Sequence, residues 1–102
     1  MKVGVDLTQI KRFAHKETLM RRLLTDEELI KYEATDDKPA YLAVRWAAKE
    51  AIFKATGDRA YLKYSVLSDD GGYFVKDRPD IELSVAADGE YAIAVATAGK
   101  KN

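Results

Sequence analysis

A chain of 102 residues, 47% hydrophobic and 33% charged, has the composition of one folded domain around one core rather than of a disordered or fibrous protein. The absence of cysteine excludes disulfides, thiolate metal sites and cysteine nucleophiles, no run approaches the roughly 18 apolar residues of a membrane span, and the start MKVGVDL lacks a secretory pattern, so the chain is expected in the cytoplasm. Seventeen basic side chains balance seventeen acidic ones, which gives the whole molecule no pull toward nucleic acid.

Val3, Val5 and Leu7 alternate with Gly4, Asp6 and Thr8, which predicts a strand with the apolar set buried and Asp6 pointing the other way. A helix is expected from about Gln9 to Leu23, with Ile10, Phe13, Leu19 and Leu23 inward and His15 exposed without a partner. Residues 1–24 hold Lys2, Lys11, Arg12, Lys16, Arg21 and Arg22 against Asp6 and Glu17, a balance of +4 that the remainder reverses to −4, so an acidic partner would dock on this first part. Thr25-Asp26-Glu27-Glu28 reads as a capping box with Leu24 and Leu29 as its staple, opening a second helix that runs to about Glu33. Thr35 to Pro39 is a polar connection. The third helix, about Ala40 to Thr56, has eleven apolar residues among the fifteen from Tyr41 to Ala55 and must be covered on most sides, with Gly57 as its cap.

Beyond Gly57, strands are expected at Tyr61–Leu67, Tyr73–Val75, Ile81–Val85 and Tyr91–Thr97, with hairpin turns at Asp69-Asp70-Gly71-Gly72 and Asp88-Gly89. The tail from Gly99 to Asn102 is expected to fray. The fold class is therefore α+β: an N-terminal strand, three helices, then an antiparallel sheet of about four strands packed on the third helix. At this size only about two-thirds of the unfolded surface is buried, so subunit contacts are an expected source of stability.

The stretch RWAAKEAIFKA places four charges on the helix that should be most buried. Glu50 and Lys54 are spaced i, i+4 on one side, Arg45 and Lys49 on another. As surface salt bridges such pairs are worth only about 0.3–0.5 kcal/mol. In apolar surroundings, however, a charge belongs at a margin or in a cleft, and a carboxylate in a cleft wants a cation. Asp6 poses the same problem, and two such carboxylates could share a hard divalent ion such as magnesium. Ser84 has no histidine near it in sequence for a hydrolase triad. The six tyrosines read as core and hairpin packing, because basic residues do not interleave with them.

VGVDLTQIKRF, LLTDEEL and YLAVRWAAKEAIFKATG, in this order, together with a weaker match at DGEYAIAV, resemble the holo-acyl-carrier-protein synthase family of phosphopantetheinyl transferases. The resemblance implies a phosphopantetheinyl transferase-like fold over residues 1–102. It implies transfer of the 4'-phosphopantetheine arm of coenzyme A to a serine of an acyl carrier protein, with release of adenosine 3',5'-bisphosphate. It implies that Asp6 and Glu50 hold magnesium, that Lys54 meets phosphate, and that Arg45, with Lys49, lies toward the coenzyme A nucleotide. Glu50, directly or through a water, is the implied acceptor of the serine proton. Arg12 matches the basic position that meets the carrier's acidic helix, and Arg21 and Arg22 extend that patch. A homotrimer with its sites at subunit boundaries is implied as well. The chain departs from the family where Ala86-Ala87 replaces a Ser-His pair, and the stretch from Gly72 to Ser84 is too short for a helix the family places there. Those departures favour, as the alternative, a noncatalytic relative that binds coenzyme A or a carrier protein.

Overall fold

The computed structural model describes residues 2–99, so Lys100 to Asn102, where most of the expected fraying falls, lie outside the described residues. Strand β1 (Lys2–Gln9) leads through a 3-10 turn (Ile10–Phe13) to helices α1 (Glu17–Leu23), α2 (Asp26–Ala34) and α3 (Lys38–Thr56). A second 3-10 turn (Tyr61–Lys63) precedes strands β2 (Val66–Asp69), β3 (Gly72–Val75), β4 (Ile81–Ala87) and β5 (Tyr91–Ala98). The expected four-stranded sheet is instead a three-stranded antiparallel sheet, ordered β1-β5-β4, beside a separate β2-β3 hairpin. The first strand thus belongs to the sheet built from the last two. No helix among the described residues is long and apolar enough to cross a membrane.

Helix α3 is well specified locally. The Asp37 side chain accepts from Ala40 N at 3.2 Å, Pro39 lies in the first turn, and Gly57 ends the helix in the left-handed conformation at φ 70°. Ala47, Ala48, Ala51, Ile52 and Ala55 of α3 pack on Ala94 and Ala96 of β5, Ile81 of β4, and Val66 and Val75 of the hairpin. With alanine on both sides of the contact, helix and sheet approach closely. At Gly4 the approach is closest: a Cβ there would lie 1.9 Å from the carbonyl oxygen of Ala51.

That contact reverses the expected faces of β1. Gly4 and Thr8 are buried against α3, whereas Val3, Val5 and Leu7 are 62%, 50% and 59% exposed. In register beside them, Val5 faces Val95 and Leu7 faces Ile93, both also exposed, so the β1-β5 part of this sheet face is apolar and open. The reason is steric, since the valine and leucine side would hold the helix away while glycine admits its backbone.

Two further expectations change. The helix expected from Gln9 to Leu23 is divided, because β1 pairs with β5 as far as Gln9 and His15, at φ 61°, turns the chain before α1 begins. The strand expected from Tyr61 begins only at Val66, because residues 61–63 close a 3-10 turn with Lys63 N donating to Ala60 O at 2.9 Å. The capping box of α2, the left-handed cap of α3 and both hairpin turns lie where the sequence puts them. No helix occurs between β3 and β4.

Candidate active site

Where β1 crosses α3, Asp6 meets the C-terminal half of the helix. Lys54 Nζ donates to Asp6 Oδ1 at 3.2 Å and to Val5 O at 3.0 Å, with the lysine side chain 50% exposed and the aspartate 16%. Asp6 Oδ2 is buried and has no hydrogen-bond partner. Glu50, one turn before Lys54 on the same side of α3, is half-buried. Phe53, three residues further along α3, packs on the Tyr61 ring with centroids 4.9 Å apart. Tyr61 stands in the second 3-10 turn rather than in the strand expected there.

The other charge pair of α3 separates. Lys49, a sequence-level candidate for coenzyme A, is completely buried, with its ammonium 2.5 Å from Glu28 Oε1, 2.6 Å from Leu23 O and 3.0 Å from Leu62 O. Its three donors are all used, so it is not available to a ligand. Burial pushes its pKa down, and the Glu28 carboxylate opposes that shift. Glu28 also accepts from Thr25 N at 2.8 Å, as the capping box predicts, and with its other oxygen from Val66 N at 2.8 Å. Arg45 is nine residues from Lys54, which puts it on the opposite side of the helix. It is 5% exposed, donates through Nε to Val66 O at 3.2 Å, and lies 3.9 Å from the Tyr41 ring centre. Within one chain it edges a different groove, with Lys31, Thr35, Ser68 and Phe74.

The basic candidates divide too. Arg12 and Arg22 line one groove of about 560 Å³ with Phe13, Lys16, Leu19 and Trp46. Arg12 NH1 donates to Thr8 Oγ1 at 3.0 Å, which holds the guanidinium at the end of β1. Arg21 is exposed and is not part of that lining. Ala86 and Ala87 end β4 opposite Ile93 and Ala92, exposed and without a polar side chain to offer.

A fit for magnesium rests on Asp6 Oδ2, a buried oxygen that lacks a partner, and on Glu50, which stands one turn before the Lys54 that Asp6 pairs with. Among the described residues no group of three or more His, Cys, Asp or Glu side chains is placed to hold a metal. Two carboxylates with water and phosphate oxygens make a donor set of the kind magnesium accepts.

Residues 2–96 match the sequence profile of the 4'-phosphopantetheinyl transferase superfamily. The holo-[acyl-carrier-protein] synthase of Mycoplasma mobile is 38% identical over 98% of this chain and 91% of its own, and that of Mycoplasmopsis pulmonis is 35% identical over 90% and 84%. Among solved structures, the synthase of Bacillus anthracis in complex with CoA (3',5'-ADP) superposes with a TM-score of 0.81 at 26% identity, covering 93% of this chain and 92% of that one. The synthase of Neisseria meningitidis gives a TM-score of 0.83 at 25% identity, covering 97% and 98%. With fold and sequence in agreement over nearly its whole length, the chain belongs to the holo-acyl-carrier-protein synthase family and is a phosphopantetheinyl transferase.

Proposed function

We propose that the protein, acting in the cytoplasm as one domain over residues 1–102, transfers 4'-phosphopantetheine from coenzyme A to a serine hydroxyl of an apo-acyl carrier protein and releases adenosine 3',5'-bisphosphate. The observation that carries this reading is the meeting of Asp6, with its unpartnered Oδ2, and Lys54 beside Glu50 at the crossing of β1 and α3. Coenzyme A in the Bacillus anthracis relative supports the donor.

Asp6 and Glu50 would hold magnesium. When bound, the ion supplies positive charge against the pyrophosphate oxygens, on which charge builds as the serine oxygen attacks. Lys54, half exposed and held only by Asp6 Oδ1 and Val5 O, is free to turn its ammonium to a phosphate oxygen. Glu50 takes the serine proton, directly or through a water, and is the only one of the three able to do so while Asp6 stays paired with a cation. Arg12, Lys16 and Arg22, lining one groove with Phe13, Leu19 and Trp46, suit the acidic helix of a carrier protein, with Arg21 extending the charge outward.

The open apolar face of Val3, Val5, Leu7, Ile93 and Val95 supports a homotrimer in which this face, rather than the β2-β3 hairpin, is covered. Light scattering that gives a monomer mass at high concentration would remove the trimer.

The test of the reaction is incubation with coenzyme A, magnesium and apo-carrier protein. A carrier mass gain with bisphosphate release is expected, and Asp6→Ala and Glu50→Ala should each abolish it without lowering the melting temperature. Normal transfer by either variant removes that carboxylate from the site. Ala86 and Ala87, which have no hydrogen-bonding side chains, favour the second reading of a noncatalytic binder, and absence of any mass gain with several carriers would establish it.

A further inference from the structure

An ammonium group has three hydrogens to donate, and that of Lys54 uses two of them, on Val5 O at 3.0 Å and on Asp6 Oδ1 at 3.2 Å, with the side chain half in solvent. The other oxygen of the same carboxylate, Asp6 Oδ2, is buried and receives nothing. A buried carboxylate oxygen without a donor is costly, so Asp6 is neutralised on one side and in deficit on the other. Lys54 also stands in the last turn of α3, where the negative end of the helix dipole favours a cation. Neither attraction is strong. The contact with Asp6 is longer than a usual charge-assisted bond, and a pair this exposed is loosely held. A group of greater negative charge can therefore draw the ammonium off.

We propose that the Lys54 ammonium and the divalent ion are rival cations for Asp6, and that coenzyme A decides between them. Its pyrophosphate draws Lys54 off the carboxylate, so metal and coenzyme A each tighten the other's binding through this one side chain. The exchange rests on the reading of Asp6 as a magnesium-holding carboxylate. Even screened as in bulk water, a single and a double positive charge on one carboxylate repel enough to weaken the second about tenfold. A pyrophosphate offers Lys54 more negative charge than a half-neutralised Asp6 does, and the flexible lysine stem lets the ammonium turn without any movement of α3. Once it has turned, Asp6 has both oxygens and its full charge with which to hold a metal. Coupling between two ligands is reciprocal, so the factor by which coenzyme A tightens the metal is also the factor by which the metal tightens coenzyme A.

The experiment titrates manganese(II), a paramagnetic substitute for magnesium, into wild type, Lys54→Met, Lys54→Arg and Asp6→Asn by electron paramagnetic resonance. It is run at low salt, with and without coenzyme A, and with no carrier protein, so that no transfer occurs. Without coenzyme A, Lys54→Met should bind manganese about tenfold more tightly than wild type, and Lys54→Arg, which keeps the charge, no more tightly. Coenzyme A should raise manganese affinity in both wild type and Lys54→Met, because pyrophosphate oxygens add ligands, but by a factor about tenfold smaller in Lys54→Met. An undiminished factor in Lys54→Met overturns the exchange, since Lys54 would then stay on Asp6 throughout. Manganese binding by Lys54→Met no tighter than wild type, with Asp6→Asn impaired, overturns it too and leaves the metal reading intact. A gain in Lys54→Arg equal to that in Lys54→Met assigns the effect to space rather than charge and overturns it as well. Equal binding by wild type and Asp6→Asn removes the metal reading itself, and the exchange with it.

Discussion

Two of the lysines of helix α3, Lys49 and Lys54, are each paired with a carboxylate from an earlier element, and the two pairs have opposite characters. Lys49 and Glu28 are both 0% exposed, 2.5 Å apart, and every donor of the lysine is used. Lys54 and Asp6 are 3.2 Å apart, the lysine is half in solvent, and one aspartate oxygen has no partner. A saturated pair has nothing to offer a ligand and can only hold the fold. An unsaturated pair at a margin has bonds still to make, so the count of unused donors and acceptors separates structure from site more sharply than charge does.

The largest effect tests the saturated pair. Lys49→Met should cost about 3–5 kcal/mol of stability in urea unfolding, because it leaves Glu28 charged and buried without its cation. A buried ion pair can often be replaced by apolar residues at little cost. Here the double variant Lys49→Met, Glu28→Leu should stay destabilised, since Leu23 O, Leu62 O, Val66 N and Thr25 N would lose the side chains that satisfy them. Recovery of wild-type stability in that double variant would break the distinction. Lys54→Met should do the reverse. Its stability should change by less than about 1 kcal/mol, while kcat/KM for coenzyme A falls about 10- to 100-fold, the value of a hydrogen bond to a charged group. Equal stability losses in the two lysine variants would refute the comparison.

A smaller effect concerns an exposed charge at the groove beside Trp46. Arg12→Glu should raise KM for the carrier several-fold and KM for coenzyme A not at all, with the difference shrinking as salt rises. A parallel rise in both constants would indicate damage to the groove. The smallest effect asks how far hydrogen bonding holds a partly exposed carboxylate. The Tyr64 hydroxyl, then Ala60 N, hold the pKa of Asp58 below the ordinary aspartate value, with Arg78 adding to the effect. The folded pKa is thus the lower one, so the contribution is complete above the unfolded value and is lost as pH falls through the folded one. Asp58→Asn should flatten the acid side of the melting-temperature profile below about pH 4. Superimposable slopes for the two proteins would remove that contribution.

What the sequence made legible was local. The capping box at Thr25 and Glu28, the glycine cap at Gly57 and the two hairpin turns each rest on residues within four positions of one another, and each is where the spacing puts it. Glu28 shows the limit of that reading. Its capping role is visible in sequence, but its bonds to Lys49 and Val66 join positions 21 and 38 residues away. Asp6 and Lys54, singled out through family resemblance, meet in the structure, whereas Lys49 is buried away from them, because a helical spacing cannot tell which of two charged stripes faces inward. The alternation in β1 was read correctly as a strand and wrongly as to its buried side. Hydrophobicity chose the valine face, and the deciding fact was the size of Gly4.

The contact at Gly4 has a consequence for how this protein can change. The obstacle a methyl group would meet is the carbonyl oxygen of Ala51 and the amide nitrogen of Ala55, both main-chain atoms. A crowded side chain can be relieved by trimming its neighbour, so most packing defects have second-site suppressors. Gly4→Ala has no such remedy on α3, because no substitution there removes a peptide oxygen. The distance between the strand that bears Asp6 and the helix that bears Glu50 and Lys54 is therefore closed to adjustment by compensating mutation. Variation in this protein must fall on the side chains around that crossing and leave the crossing itself as it is.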